Sequence, residues 1–393
     1  MSRKSIAGPA DLAVFGAPPA FVEPLHVGRP NISDPQAYLK LVEEMVERRW
    51  LTNGGPLVQA FERALEAYLG VKHVVVTCNA TVALEIAIRG LGLTGEVIVP
   101  SYTFIATAHA VYWQGLTPVF ADIDPTTHQL DPDSVEKMIT PRTTGIIGVH
   151  LWGQTSPVEP LEALAKRRGL KLLFDAAHAF GVSRGNRLVG GFGACEVFSF
   201  HATKFLNSLE GGAISTNDDE LAQAARLMRN FGFVDYDEVV HPGTNGKMTE
   251  ACAAMGLVNL KGVDATIEVN RRNYDLYRAG LADLAGVAVF PFDARERNNY
   301  QYVVLEIGPE AGASRDQLVA ALVAENVLAR KYFWPGCHRM KPYRDLYPWA
   351  DWHLTNTNAV AERVMVLPTG GAVSPDDIDI ICQVIRARCA GPA

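Results

Sequence analysis

The chain has 393 residues, of which 48% are hydrophobic, and a formal net charge of −7 at pH 7. This length and apolar content are enough for a large core, and we expect one large and one smaller domain. The acidic balance argues against nucleic-acid binding as the main role. The six cysteines are scattered without a CxxC pair. The sequence also has no recognisable signal peptide and no apolar run of membrane-spanning length. The scattered cysteines and these two observations predict reduced thiols in a cytoplasmic protein.

Residues 1–36 are rich in proline and glycine, and we interpret them as an arm lying on the body or on a partner subunit. Two amphipathic helices are predicted next, and from residue 73 strand-like runs alternate with helical segments. Such alternation predicts an α/β fold with a mostly parallel sheet covered on both faces. The last two strands are joined by a loop too short for a crossover helix, so we expect that pair to be antiparallel. The predicted strands are residues 73–78, 96–101, 118–123, 145–150, 171–176, 196–200 and 212–216.

The second half begins with a polar loop over residues 231–247, and loops of this length are usually functional or contact a partner. A helical stretch from residue 248 predicts the start of a smaller α+β domain. Its predicted elements are strands near residues 287–292, 300–307 and 364–367, and helices beginning at Ser314 and Ser374. The resulting division is an arm over residues 1–36, a large domain over 37–247 and a small domain over 248–393.

Lys204 follows a predicted buried strand within an apolar loop flanked by serine, threonine and glycine. Partial burial of a lysine lowers its pKa and makes the neutral amine a nucleophile toward aldehydes. An ordinary surface lysine is the alternative. The position nevertheless agrees with the rule that ligands of open α/β sheets bind at the carboxyl ends of strands.

Asp175 ends the preceding predicted strand and either caps the next helix or pairs with a protonated pyridine nitrogen. Asn79, Ala80 and Thr81 follow the first strand and open a helix, which makes them either a plain cap or a phosphate site. Ser199 offers a second hydroxyl to the same phosphate. An acid and a lysine on adjacent strand ends fit a site for pyridoxal 5'-phosphate (PLP).

Three further side chains near these strand ends have two possible roles each. Phe104 either stacks on a flat ring or belongs to the core. His178 and His201 either orient a ligand or are satisfied structural histidines. Their spacing does not match metal ligands, and we expect no metal site.

Six motifs in order resemble the DegT/StrS family of nucleotide-sugar aminotransferases. They are NATVAL, PSYTFIAT, FDAAHAFG, SFHATK, EGGA and GTNGKMTEACAAMG, and the resemblance runs from about residue 36 to about residue 388. It implies a fold-type-I PLP enzyme with a seven-stranded sheet in the large domain, and a homodimer whose active sites are shared between subunits. Three positions depart from the usual pattern: Asn79-Ala80-Thr81 replaces Ser-Gly-Thr, His178 replaces a glutamine, and Leu209 replaces a glycine.

The resemblance also implies roles for individual residues. Lys204 matches the lysine that binds the cofactor covalently, Asp175 the partner of the ring nitrogen, and Phe104 the stacking aromatic. Ala80, Thr81 and Ser199 match phosphate ligands, and Asn245 matches an asparagine that reaches the phosphate of the neighbouring subunit.

The segment over residues 329–343 is similar to that of enzymes that aminate C4 of dTDP-4-keto-6-deoxyglucose. The implied reaction uses L-glutamate as amino donor and yields dTDP-4-amino-4,6-dideoxyglucose, with Tyr332, His338 and Tyr343 on the sugar side or in small-domain packing. Amination at C3 and a non-catalytic PLP-binding regulator remain the alternatives.

Overall fold

The structure is a computed structural model that describes residues 4–391. Across these residues the strands are β1 Leu25–His26, β2 His73–Thr77, β3 Glu96–Pro100, β4 Thr117–Ala121, β5 Thr143–Val149, β6 Lys171–Asp175, β7 Ser183–Arg184, β8 Arg187–Leu188, β9 Cys195–Ser199, β10 Gly212–Thr216, β11 Val287–Val289, β12 Val303–Ile307, β13 Val327–Leu328 and β14 Val364–Leu367.

The α-helices of the same residues lie between these strands. They are α1 Pro35–Arg48, α2 Pro56–Leu69, α3 Ala80–Gly90, α4 Ala106–Trp113, α5 Pro132–Met138, α6 Val158–Arg168, α7 Asp219–Met228, α8 Glu250–Lys261, α9 Val263–Leu281, α10 Arg315–Ala324, α11 Lys341–Leu346, α12 Thr355–Arg363 and α13 Pro375–Cys389. Among the helices between residues 4 and 391, none combines the length and apolarity needed to cross a bilayer.

Within the described residues, seven strands form one sheet in the order β2-β10-β9-β6-β5-β3-β4. The neighbours β4, β3, β5, β6 and β9 are parallel, and β10 is antiparallel to both β9 and β2. The predicted mostly parallel α/β sheet and its antiparallel last pair are confirmed. The carboxyl ends of β3, β5, β6 and β9 therefore meet at one edge of the sheet.

Both faces of this sheet are covered, because successive side chains of a strand point to opposite sides. In β2, Val74 and Val76 join one apolar cluster with α2 and α8, whereas Val75 joins another with α3 and α4. In β6, Leu173 lies on the opposite side from its neighbour Phe174. The continuous apolar runs of the sequence are thus explained by burial on two sides.

A smaller antiparallel sheet, β11-β12-β14, packs with α9, α10 and α13 in a further cluster. The N-terminal arm belongs to this part of the molecule: Ile6, Leu12 and Leu25 are buried in the same cluster. β1 of the arm pairs in parallel with β13. The sequence predicts an arm that lies either on the body or on a partner subunit. In the structure the arm packs on the body of its own chain.

Two features of the fold differ from the sequence-based expectations. Helix α7 was not predicted, although Asp218 caps it through the amides of Glu220 and Leu221. Helix α8, predicted to start the small domain, instead packs on α1 and α2, and Glu250 accepts hydrogen bonds from the first amides of α2. The division into domains remains a proposal, and this packing favours a boundary within α9 rather than at residue 248.

Candidate active site

A cavity of about 640 Å³ opens at the carboxyl edge of the large sheet. Its size lies within the range of roughly 300–1,000 Å³ typical of small-molecule sites. The predicted residues that line it are Asn79, Ala80, Thr81, Phe104, Asp175, His178, Ser199, Lys204 and Tyr332. These residues come from the ends of several strands of the large sheet and, with Tyr332, from the chain just after β13, so folding gathers them from positions up to about 250 residues apart.

Lys204 lies just after β9 and extends its amine into this cavity. Burial lowers the pKa of Lys204 to about 8, while the charge of Asp175 acts in the opposite direction. Its Nζ is 3.4 Å from the hydroxyl of Tyr302. The amine is thus partly neutral near physiological pH, which is the state that a nucleophile toward an aldehyde requires.

Asp175, the last residue of β6, is held by two donors. Its Oδ1 accepts the N–H of Ala177 at 3.1 Å, and its Oδ2 accepts the hydroxyl of Thr107 at 2.8 Å. Burial raises the pKa of Asp175, and both hydrogen bonds and the charge of Lys204 oppose that rise. The carboxylate is therefore fixed in orientation and stands in a region that a cationic partner would stabilise.

The beginning of α3 forms a small cradle of backbone N–H groups. The side chain of Asn79 accepts the N–H of Val82 at 2.9 Å and so caps the helix. The amides of Ala80 and Thr81 come earlier in the first turn, where no partner within the helix exists. Gly212 of β10 approaches closely, since a Cβ there would lie 2.5 Å from the nitrogen of Ala80. Asn79 acts as the expected cap, and the two amides after it suit a phosphate.

His178 lies between aromatic neighbours beside the cavity. Its ring stacks on Trp152 and Phe333 with centroids 5.9 Å away in each case. Burial lowers the pKa of His178 well below its usual value, and Lys204 lowers it further. Its Nε2 is 3.3 Å from the hydroxyl of Tyr302, whereas Nδ1 is buried without a partner in the described part of the chain.

Phe104 is 56% exposed in the single chain and lines the cavity, so it is not part of the core. An exposed ring beside a polar cavity is available to stack on a planar ligand. His201 also lines the cavity and hydrogen-bonds through Nδ1 to the hydroxyl of Thr203 at 2.8 Å.

Three residues predicted for the site do not line this cavity. His338 is buried behind it, with Nδ1 2.6 Å from the hydroxyl of Ser101 and Nε2 3.0 Å from Asn358. Tyr343 is buried in the apolar cluster under α4, and its hydroxyl is 2.7 Å from Nδ1 of His109. Both side chains attach the segment after Gly336 to the large-sheet part of the molecule, His338 at Ser101 and Tyr343 at His109. Asn245 lies exposed in the long loop, opposite Asn230 in an isolated bridge.

The chain leaves the cavity wall between Tyr332 and His338. Gly336 has a φ of +91°, in the region that favours glycine, and begins the turn that carries the following residues inward. Proximity in sequence to Tyr332 therefore does not bring His338 or Tyr343 to the cavity.

Several residues in or directly behind the cavity wall were missed by the reasoning from sequence. Tyr302 contacts both Lys204 and His178 but reads as an ordinary core aromatic before β12. Thr107 supports Asp175 from within the PSYTFIAT motif, where its hydroxyl was a usable signal. Arg330 and His26 line the wall formed by β13 and the arm. For Arg330 the similarity of the segment over residues 329–343 to C4-aminating enzymes was a usable signal, whereas nothing in the local sequence of His26 indicates its position.

The cavity contains the hydrogen-bond donors and acceptors that binding of PLP requires. They offer a lysine amine of lowered pKa, a buried carboxylate, the first amides of α3 and an unpartnered imidazole nitrogen. The last of these is a buried polar group that a bound ligand would satisfy.

Comparison with known proteins agrees with this chemistry. The model of the DegT/DnrJ/EryC1/StrS aminotransferase family matches residues 33–386. A dTDP-4-amino-4,6-dideoxy-D-glucose transaminase of Escherichia coli is 37% identical over 343 residues, 87% of this chain and 92% of the relative. A GDP-perosamine synthase of Caulobacter vibrioides is 36% identical over 353 residues, 88% of this chain and 93% of the relative.

Among solved structures, DesI, analysed in the presence of its TDP-sugar product, has a TM-score of 0.92 and 48% identity. The match covers 97% of this chain and 96% of DesI. Aminotransferases of this family depend on PLP, in agreement with the donor set of the cavity. The family resemblance, the enzyme class and the cofactor predicted from sequence are confirmed: the chain belongs to the DegT/DnrJ/EryC1/StrS aminotransferase family.

Proposed function

We propose that the protein transfers the amino group of L-glutamate to C4 of dTDP-4-keto-6-deoxyglucose, giving dTDP-4-amino-4,6-dideoxyglucose and 2-oxoglutarate. The observation that carries this proposal is the 48% identity to DesI over nearly the whole chain, joined to a cavity that contains Lys204 and Asp175. The name of the Escherichia coli relative supports the same sugar.

The site residues follow as part of this proposal. Lys204 binds the cofactor covalently, Asp175 pairs with the ring nitrogen, and Phe104 stacks on the ring. The phosphate is bound by the first turn of α3, at Asn79, Ala80 and Thr81, together with Ser199. His178 supplies its unpartnered nitrogen to the cofactor, and Tyr332 faces the sugar.

When bound, PLP supplies an electron-withdrawing ring that makes the neighbouring C–H bond of the substrate acidic. The amino group of glutamate would take the place of Nζ of Lys204 on the cofactor, and the released amine would then remove the proton from Cα of glutamate in the first half-reaction and deliver a proton to the sugar carbon in the second. The carboxylate of Asp175 holds a proton on the ring nitrogen in both. One site serves both substrates in turn, and the cationic group of Arg330 in its wall suits their anionic groups.

A homodimer is part of the proposal, because the long loop over residues 231–247 presents apolar side chains to solvent in the single chain. Phe231, Val234, Val239 and Val240 are each at least 45% exposed. Large apolar side chains exposed together in one loop favour an interaction site. A second copy of the chain would cover it and bring Asn245 toward the phosphate site of its partner.

The experiment is a substrate panel analysed by mass spectrometry and NMR. The purified holoenzyme receives glutamate labelled with ¹⁵N and, in separate reactions, 4-keto and 3-keto sugars linked to dTDP, UDP or GDP. We expect a labelled product from the dTDP-linked 4-keto sugar, with the nitrogen on C4. The GDP arm is included because of the perosamine synthase relative. Labelling at C3 would favour the alternative site of amination, and no product in any arm would favour the non-catalytic regulator.

A further inference from the structure

Tyr302 connects two residues of the proposed site. Its hydroxyl is 3.4 Å from Nζ of Lys204 and 3.3 Å from Nε2 of His178. Hydrogen bonds of a site without its ligands are often long and shorten in the complex. The tyrosine precedes β12 of the small sheet, so this contact joins the two parts of the molecule at the cavity.

The position of Tyr302 is fixed by its surroundings. Its ring meets the edge of Trp152 with centroids 5.6 Å apart, and only 7% of the residue is exposed. The backbone before it is tied to the loop of His178, because the side-chain amide of Asn299 donates to the carbonyls of His178 and Phe180 at 2.9 and 3.1 Å. The ring of Tyr302 is therefore held in place, and the side-chain amide of Gln301 is a second donor beside its hydroxyl oxygen.

The chemistry of the three groups determines the direction of the hydrogen bonds. A lysine ammonium has only donors, so Nζ of Lys204 donates to the oxygen of Tyr302. The hydroxyl proton of Tyr302 is then free for an acceptor, and Nε2 of His178 is within reach. A neutral imidazole that accepts at Nε2 carries its proton on Nδ1.

We propose that Tyr302 is a positioning residue that holds the amine of Lys204 and fixes His178 as the Nδ1–H tautomer. The chain of hydrogen bonds runs from Lys204 through Tyr302 to His178. The buried nitrogen without a partner, Nδ1 of His178, is consequently a donor kept ready for a bound group. The inference rests on the proposed role of Lys204 in the site.

The first test observes the tautomer directly in the wild-type protein. The chain contains ten histidines, and a ¹⁵N-histidine-labelled sample gives two-bond proton–nitrogen correlations that distinguish Nδ1–H from Nε2–H. The signal of His178 is identified by its disappearance in His178→Gln. We expect the Nδ1–H pattern in both the holoenzyme and the cofactor-free chain. A wild-type signal of the Nε2–H form would overturn the proposal, whether or not any variant folds.

The second test compares Tyr302→Phe with a matched control, Tyr277→Phe. Tyr277 is also fully buried and donates its hydroxyl to the carbonyl of Pro368 at 2.9 Å, remote from the cavity lining. Labelling of Lys204 by a small acylating reagent, followed by peptide mapping, gives the pH midpoint of the amine in the cofactor-free chain. The charges and titrating groups around that amine are Asp175, Tyr332 and His178.

Tyr302→Phe removes the acceptor of the charged amine, so we expect the midpoint to fall by about one pH unit. We also expect the exclusive Nδ1–H pattern of His178 to be lost, and the control to change neither readout. An unchanged midpoint together with an unchanged tautomer in Tyr302→Phe would overturn the proposal. Neither measurement requires turnover, so failure here is distinguishable from failure of the proposed reaction in the substrate panel.

Discussion

Of the two roles that the sequence allows for Asp175, the helix cap is not present, because residues 176–182 form turns and no helix. The carboxylate accepts the N–H of Ala177 within the first turn, accepts the hydroxyl of Thr107 from α4, and lines the cavity. A cap alone does not need a second donor from a neighbouring element. The two roles predict different results for a change that removes only the charge.

Asp175→Asn keeps an acceptor for Ala177 and a polar contact for Thr107, so we expect a melting temperature close to that of the wild type. The uncharged amide does not hold a proton on the ring nitrogen, so the half-reaction with glutamate should slow by roughly two orders of magnitude or more. Thr107→Val is the matched control, because it loses the hydrogen bond but keeps the charge, and it should slow the reaction far less. A near-normal rate for Asp175→Asn would exclude the catalytic role.

Strand ends were the most predictable elements of this chain. Asp175, Lys204 and the start of α3 each follow a buried apolar run, and the rule for parallel sheets brings such ends to one edge. Tyr302 could not be predicted in the same way, because its contact with Lys204 depends on how the small sheet docks. The inward course of the chain after Gly336 likewise depends on packing that no local pattern specifies.

The arm shows how an element without periodicity is held in place. Glu325, at the end of α10, has a fully buried side chain. Its carboxylate accepts hydrogen bonds from the backbone N–H groups of Ala13 and Ala20 at 2.5 and 2.6 Å. It also forms an ion pair with Lys4 at 3.3 Å. The arm continues into β1, and His26 at the end of β1 lines the cavity.

Glu325→Ala leaves two backbone donors of the arm without an acceptor, so we expect a loss of about 3 kcal/mol in the free energy of unfolding. Residues of the arm should also become sensitive to limited proteolysis. Urea denaturation and peptide mapping measure the two effects. Lys4→Ala removes a partly exposed ion pair and an exposed hydrogen bond to the carbonyl of Pro18, but leaves both backbone donors of the arm paired, and should cost about 1 kcal/mol or less. Equal losses for the two variants would contradict this account of the arm.

For the whole molecule, the proposed dimer predicts complementation between two inactive variants. Lys204→Ala lacks the amine, and Asn245→Ala lacks the residue proposed to reach the phosphate of the partner. A mixed dimer has one site with both intact residues, so random exchange should restore about a quarter of the wild-type activity. Absence of recovery, with mixed dimers demonstrated by mass spectrometry, would show that Asn245 does not act across the interface.

The position of the cofactor is the claim on which the site, the reaction and the role of Tyr302 all depend. Borohydride reduction of the holoenzyme followed by peptide mapping tests it most directly, because reduction makes the bond between the cofactor and its lysine permanent. We predict a single pyridoxyl group on the peptide that contains Lys204, and no label in the Lys204→Arg variant. A pyridoxyl group on any other lysine of the wild-type chain would contradict the account.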